Sequence, residues 1–158
     1  MKREYPKQPI VGVGGIVIQG NQVLLIRRGS EPLKGEWSIP GGMLELGESL
    51  TDGVRREILE ETGLRVRPLE ALTVLDRIEK NGKRVQYHYV IVDYVCRRTG
   101  GRLKSGGDVL DARWVNRVEL PRYRITPKAA SVIAAAFDWV EKQERRPVRR
   151  QRPRDSCK

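Results

Sequence analysis

Apolar and polar positions alternate or run together in blocks that mark out mixed α and β structure. Two apolar runs, Val11 to Gln19 and Val23 to Arg27, flank Gly20-Asn21 and read as a β-hairpin. A second pair, roughly Leu69 to Ile78 and Val85 to Cys96, flanks Asn81-Gly82, the strongest short hairpin signal in the chain. A short strand is expected at Arg113 to Val115, with Gly100-Gly101 and Gly106-Gly107 bracketing a turn region before it. Twice the period changes to that of a helix. Leu50, Val54 and Ile58 form one stripe at about 100° per residue, and Ala129, Val132, Ile133, Ala136, Phe137 and Val140 form another within Pro127 to Glu144. Ser49 with Asp52 starts the first helix and Gly63 stops it; Thr126 caps the second, with Pro127 in its first turn. Gly53 lies mid-helix, where glycine costs about 1 kcal/mol relative to alanine, so close backbone packing is expected there. Residues 29 to 48 are rich in glycine and proline and read as loop. Strands with helices on opposite faces predict an α/β/α sandwich.

Length changes little in that picture: 158 residues suit one domain with its own core. The core is modest and aliphatic, with 39% apolar residues and one Phe. No apolar run approaches the ~20 residues that span a bilayer. Lys2 and Arg3 precede the apolar Ile10 to Ile18, faintly like a signal peptide, but Pro9, the glycines and the lack of a small-residue cleavage site favour an N-terminal strand. Cys96 and Cys157 are too few and too differently placed for a disulfide framework, so a reducing, cytoplasmic setting is the default expectation. Charge is uneven. Residues 145–158 carry seven basic side chains against Asp155, which is +6 of the formal +11. The chain therefore divides into a domain at 1–144 and a basic tail at 145–158, expected to be disordered and suited either to nonspecific RNA contact or to solubility alone.

The candidate chemistry sits on the first helix. Glu57, Glu60 and Glu61 have the i, i+3, i+4 spacing that places side chains on neighbouring rows. Glu57 and Glu61 edge the apolar stripe, and such acids belong at the rim of a cleft. Carboxylates so close repel one another, and a magnesium or manganese ion, which takes oxygen ligands, removes the repulsion. Alone, this triad also describes a solvated acidic face paired with Arg55 and Arg56.

The surrounding residues extend the pattern. Gly42, Glu48, Arg56, Glu57, Ile58, Glu60, Glu61, Gly63 and Leu64 fall at the spacing G-x5-E-x7-R-E-U-x-E-E-x-G-U, where U is a bulky aliphatic. This stretch resembles the signature of the Nudix hydrolases. Pro40-Gly41-Gly42, the upstream GGIVI and QVLLIRR segments and Ala112-Arg113-Trp114-Val115 resemble the family's flanks, so the likeness covers most of residues 10 to 140. It implies the Nudix α/β/α sandwich with a mixed sheet and two main helices, and metal-dependent hydrolysis of a phosphoanhydride in a nucleoside diphosphate linked to another group. It implies Mg2+, with Mn2+ as a substitute, held by Glu57, Glu60, Glu61 and the Gly41 carbonyl. Glu57 also matches the general base of some members, Glu48 a support for the metal cluster, and Arg56 an organiser of the carboxylates. A homodimer is compatible with the same resemblance.

Outside the box, Asp108 resembles a loop acid that some members add, with Asp111 as its competitor and an ordinary turn as the alternative for both. Arg27, Arg28 and Lys34 are candidate phosphate contacts; exposed hairpin and loop charges are the plainer reading. His88 reads as a structural strand residue, and Trp37 and Trp114 as packing or anchoring residues. The chain looks most like small ADP-ribose pyrophosphatase-type members, although the proline that marks many ADP-ribose-specific members is replaced by Glu79. Hydrolysis of (deoxy)nucleoside triphosphates or oxidised nucleotides is the next reading, RNA 5′-pyrophosphate removal the third. A nucleotide-sensing role without catalysis is the reading from another class.

Overall fold

The computed structural model describes residues 3–31 and 33–145. Its seven strands are β1 (Ile10–Gln19), β2 (Gln22–Arg27), β3 (Trp37–Ser38), β4 (Gly41–Met43), β5 (Leu64–Asn81), β6 (Arg84–Gly101) and β7 (Asp111–Asn116). Helices α1 (Leu50–Thr62) and α2 (Pro127–Glu144) join them, with a 3-10 helix at Arg117–Arg122 that the apolar pattern did not signal. The sheet is mixed. β1 runs parallel to β6 from Ile10↔Tyr89 to Val17↔Cys96, while its other edge pairs antiparallel with β4 and then with β2. β2 also pairs antiparallel with β3 and β7, and β6 with β5.

The two turn signals act as expected, with one shift. Gly20-Asn21 links Gln19 to its partner Gln22, and Gly20 takes φ +59°. In the second hairpin the turn is Gly82-Lys83, closed by the Asn81↔Arg84 pair. β5 begins five residues earlier than the apolar run suggested, directly after the helix-ending Gly63, because Leu64 and Val66 already alternate inward. Register shifts on either side of Pro68 let the strand carry a proline, which cannot donate to the ladder.

Each helix covers one face of the sheet. Ile16, Val23, Leu25 and Val115 pack with Ala129, Val132, Ile133, Ala136 and Phe137 of α2. Val13, Val17, Leu24 and Cys96 pack with Val54 and Ile58 of α1. Burying a side chain such as Ile58 contributes roughly 1.5–3 kcal/mol, and its approach depends on Gly15: a methyl there would lie 2.4 Å from Ile58 Cδ1. Gly53 has the close packing expected of it, since its added methyl would meet Leu44 at 2.8 Å. The Ser49 side chain accepts from the Asp52 N–H, and Gly63 closes α1 in the left-handed conformation at φ 69°. Thr126 caps α2 by accepting from the Ala129 N–H. No helix among the described residues is long and apolar enough to cross a membrane. Of the basic tail only Arg145, at the end of α2, is described; the expected disorder and RNA contact fall outside the described residues.

Candidate active site

Residues 29–48, read from sequence as loop, hold β3 and β4, and β4 brings the box onto the sheet. β4 pairs with β1 through Gly12↔Met43, Val13↔Gly42 and Gly14↔Gly41. This lays α1 across glycine backbone. A methyl on Gly42 would lie 2.5 Å from the Glu57 carboxylate, so the glycine makes the space Glu57 occupies. The Gly41 N–H donates to Glu61 Oε2 at 2.9 Å.

Arg56 organises the acids around it. Its Nε and Nη2 donate to the two oxygens of Glu48 at 2.8 and 2.9 Å, a forked pair with geometric specificity. Nη1 donates to Glu57 at 2.7 Å and to Glu60 at 3.4 Å, and Nη2 also reaches the Met43 carbonyl at 2.9 Å. Hydrogen bonding to Arg56 lowers the Glu48 pKa, and the bond to Glu48 is the largest cause raising that of Arg56.

The three box acids are not equivalent. Glu60 is the exposed one, with 55% of its side chain accessible, whereas Glu57 retains 13%. Glu61 is buried. Burial is the main cause that raises Glu57, with Glu60 and Glu48 adding to it and Arg56 opposing. Burial also pushes Glu61 up to about 8; the Gly41 N–H opposes this, and the negative charges of Glu57 and Asp108 add to it.

Asp108 arrives from far along the chain through backbone bonds. Lys104 N–H donates to the Thr62 carbonyl and Gly106 N–H to that of Glu61, both at 3.0 Å, which pins the segment to the end of α1. Leu110 N–H donates to the Arg27 carbonyl at 2.9 Å. Gly29 permits the approach, as a methyl there would fall 1.7 Å from the Asp108 carbonyl oxygen.

Arg28, Gly41, Gly42, Glu57, Glu61 and Asp108 line one cleft of about 800 Å³. Other expected residues stand elsewhere. Glu48 and Glu60 are not in the cleft lining; both bind Arg56, which in turn holds Glu57. Arg27 donates to the Gly35 carbonyl and, like Lys34, is not in the cleft lining. Asp111 is engaged on β7 by Arg113 and the Ala112 N–H. His88 faces Ile78 in the β5–β6 ladder. Trp37 packs edge-on against Tyr123 at 5.2 Å, and Trp114 packs against the α1 core.

The part of the lining contributed by β5, β6 and α2 was not found from sequence. It includes Arg77, Tyr87, Tyr89, Asp93 and Lys128. Asp93 is wholly buried and binds Thr73 Oγ1 at 3.1 Å and Lys128 Nζ at 3.2 Å. An aspartate inside an otherwise apolar strand (Val90-Ile91-Val92-Asp93) was the available signal. Glu79 pairs with Arg77 on β5.

The donor set can be tested against a hard divalent cation. As placed, no three acids among the described residues converge at metal-ligand spacing, and Glu57 is tied to Arg56. Chemically the set fits. Glu57 and Glu61 offer only oxygen, sit on one cleft wall, and carry charges that burial and neighbouring acids disfavour. A cation reverses that penalty.

The family model for the NUDIX domain matches residues 8–136. An ADP-ribose pyrophosphatase of Methanocaldococcus jannaschii is 35% identical over 114 residues, covering 72% of this chain and 66% of that protein. A putative ADP-ribose pyrophosphatase, YjhB of Bacillus subtilis, is 30% identical over 147 residues, covering 93% of this chain and 69% of its own length. The chain thus spans about two thirds of these relatives. Among solved structures, a MutT NUDIX hydrolase from Burkholderia pseudomallei superposes with a TM-score of 0.72 at 27% identity, covering 82% of this chain and 98% of that one. The complete box, the mixed sheet between two helices and the family match over residues 8–136 place this chain in the Nudix hydrolase family.

Proposed function

We propose that this chain hydrolyses the phosphoanhydride of a nucleoside diphosphate linked to another group, with ADP-ribose as the leading substrate, and that it requires Mg2+ or a substituting Mn2+. The observation that carries the reading is the pairing of desolvated Glu57 and Glu61 with the cations of the same cleft. The acids suit a metal, and the cations Arg28, Arg77 and Lys128 suit an anion. The similarity to two proteins named ADP-ribose pyrophosphatases, one of them putatively, supports the choice of substrate.

Glu57, Glu61 and the Gly41 carbonyl are the groups of this chain suited to hold the ion, with Glu60 joining if Arg56 releases it. Bound there, a divalent cation neutralises phosphate charge and acidifies water. The chain's own residues supply the rest. Arg56 holds Glu57 in place while Glu48 holds Arg56. Asp108 adds negative charge beside Glu61 and is a second candidate to accept the water proton. Arg28 contacts phosphate oxygen. In the reaction a water oxygen bonds to phosphorus, the bridging P–O bond breaks, the water proton passes to a carboxylate, and AMP and ribose 5-phosphate leave.

A substrate panel with Mg2+ and with Mn2+ tests this reading. It should contain ADP-ribose, normal and oxidised nucleoside triphosphates, dinucleoside polyphosphates and 5′-triphosphate RNA. AMP and ribose 5-phosphate from ADP-ribose support it. Pyrophosphate released preferentially from a triphosphate refutes the ADP-ribose assignment, and no turnover of any member refutes the enzymatic one.

A further inference from the structure

The part of the cleft lining contributed by β6 and α2 carries an ion pair that the chemistry above leaves unused. Asp93 has no solvent exposure, and Gly14 beside it leaves room for its carboxylate: a methyl at Gly14 would lie 2.3 Å from Asp93 Oδ1. A buried carboxylate requires a charged or hydrogen-bonding partner. Here Thr73 donates to Oδ2 at 3.1 Å, and Lys128 Nζ stands 3.2 Å from Oδ2 and 3.4 Å from Oδ1. Lys128 is not consumed by this pairing. Its side chain is 32% exposed, it lines the cleft, and an ammonium has three donors.

Lys128 also has cationic company. Arg77 and Arg28 line the same cleft, and both disfavour the charge on Lys128, although burial is the larger cause. Arg77 likewise disfavours the charge on Arg28, again after burial. Each already has an acid in reach: Asp93 for Lys128, Glu79 for Arg77, and Glu61 and Asp108 for Arg28. A bound anion would offset the repulsion the cations still exert on one another. The acids on α1 suit a metal, and Lys128 comes to the same cleft from α2, the helix on the other face of the sheet.

We propose that Lys128, fixed by Asp93 and Thr73, is a substrate-positioning residue whose ammonium binds an anionic phosphate oxygen in the cleft. This rests on the phosphoanhydride reading above. The lysine stands in the first turn of α2, so anchoring it to β6 also fixes one side of the cleft relative to the sheet. Asp93 acts through Lys128 and does not touch substrate.

The test uses the full chain with Lys128→Gln, Lys128→Arg and Asp93→Asn. Measurements are kcat and KM for ADP-ribose, calorimetric affinity for inorganic pyrophosphate, and melting temperature. Lys128→Gln is expected to raise KM and weaken pyrophosphate binding about tenfold or more, the scale of one hydrogen bond to a charged group, with kcat little changed. Lys128→Arg is expected to restore most of the affinity. Asp93→Asn is expected to raise KM several-fold while keeping the lysine, and it decides the matter if Lys128→Gln does not fold. A folded variant that melts lower yet has wild-type KM and pyrophosphate affinity overturns the proposal and leaves the hydrolase reading intact. If pyrophosphate binding depends on Lys128 but no panel substrate is turned over, the anion site stands and the hydrolase reading falls.

Discussion

Gly42→Ala separates the position of Glu57 from its identity. The added methyl would sit 2.5 Å from Cδ and both oxygens of the Glu57 carboxylate. Carbon and oxygen do not approach that closely, so the carboxylate must move by at least about half an ångström. It can do so at small cost to the fold, because it is the end of a flexible side chain. Its bond to Arg56 Nη1, 2.7 Å long, must lengthen or break in the process. A misplacement of about 1 Å at a reacting centre lowers rate about 100-fold, so a shift of half that or more should lower it about tenfold to 100-fold. At 1.36 kcal/mol per tenfold, that is about 1.4–2.7 kcal/mol of transition-state stabilisation. The expected loss of stability is below about 1 kcal/mol, a melting shift of no more than about 4 °C for a domain this size. The assay is AMP release from ADP-ribose at saturating Mg2+, with a thermal melt of the same sample. A Gly42→Ala protein with wild-type kcat/KM refutes the claim that Glu57 must stand where β4 and α1 place it. Equal loss of activity and fold refutes the claim that only the carboxylate yields.

Arg56→Lys keeps the charge but loses the fork that spans Glu48 and Glu57; kcat should fall at least about tenfold, the scale of one lost charge-assisted bond, with little change in KM, as steady-state kinetics will show. Gly15→Ala drives a methyl to 2.4 Å from Ile58 Cδ1, and urea unfolding should report about 1–3 kcal/mol of lost stability from overpacking. Thr126→Ala removes the α2 cap and should cost about 1 kcal/mol by the same measurement. Burial pushes the Cys96 thiol up to about 12. In a Cys157→Ser background at pH 8 it should therefore stay protonated and resist alkylation until denaturant is added; rapid labelling of the native protein, followed by mass spectrometry, would contradict this.

Local signals were legible where a residue's conformational preference and its tertiary surroundings agree. Ser49, Gly63, Thr126 and Pro127 set helix ends by backbone chemistry that any fold must obey; α1 begins and ends, and α2 begins, where those residues predict. Gly53 announced close packing because nothing else justifies glycine inside a helix. The box acids were legible through spacing, yet spacing does not say which are desolvated. Glu60 proved exposed and Glu61 buried because β4 and the 104–110 segment cover one side of α1, and those contacts come from distant sequence. Of the cleft cations, Arg28 was legible as a candidate phosphate contact, while Arg77 and Lys128 were hidden for the same reason. These three cations lie on separate segments brought together by the β1–β2, β1–β6 and β5–β6 pairings and the packing of α2. Residues 29–48 look like loop by composition, since strands of two or three residues have too few positions to show alternation.

The central claim is that Glu57 and Glu61 hold the ion that makes phosphoanhydride hydrolysis possible. Its most direct test is AMP release from ADP-ribose as a function of Mg2+, for wild type, Glu57→Gln and Glu61→Gln after treatment with EDTA. The account predicts no turnover without added metal, saturable recovery for wild type, and at least about 100-fold lower rates for both variants, the scale of removing one electrostatic element of a reaction centre. Metal-independent turnover, or folded variants that match wild type at every Mg2+ concentration, would contradict it.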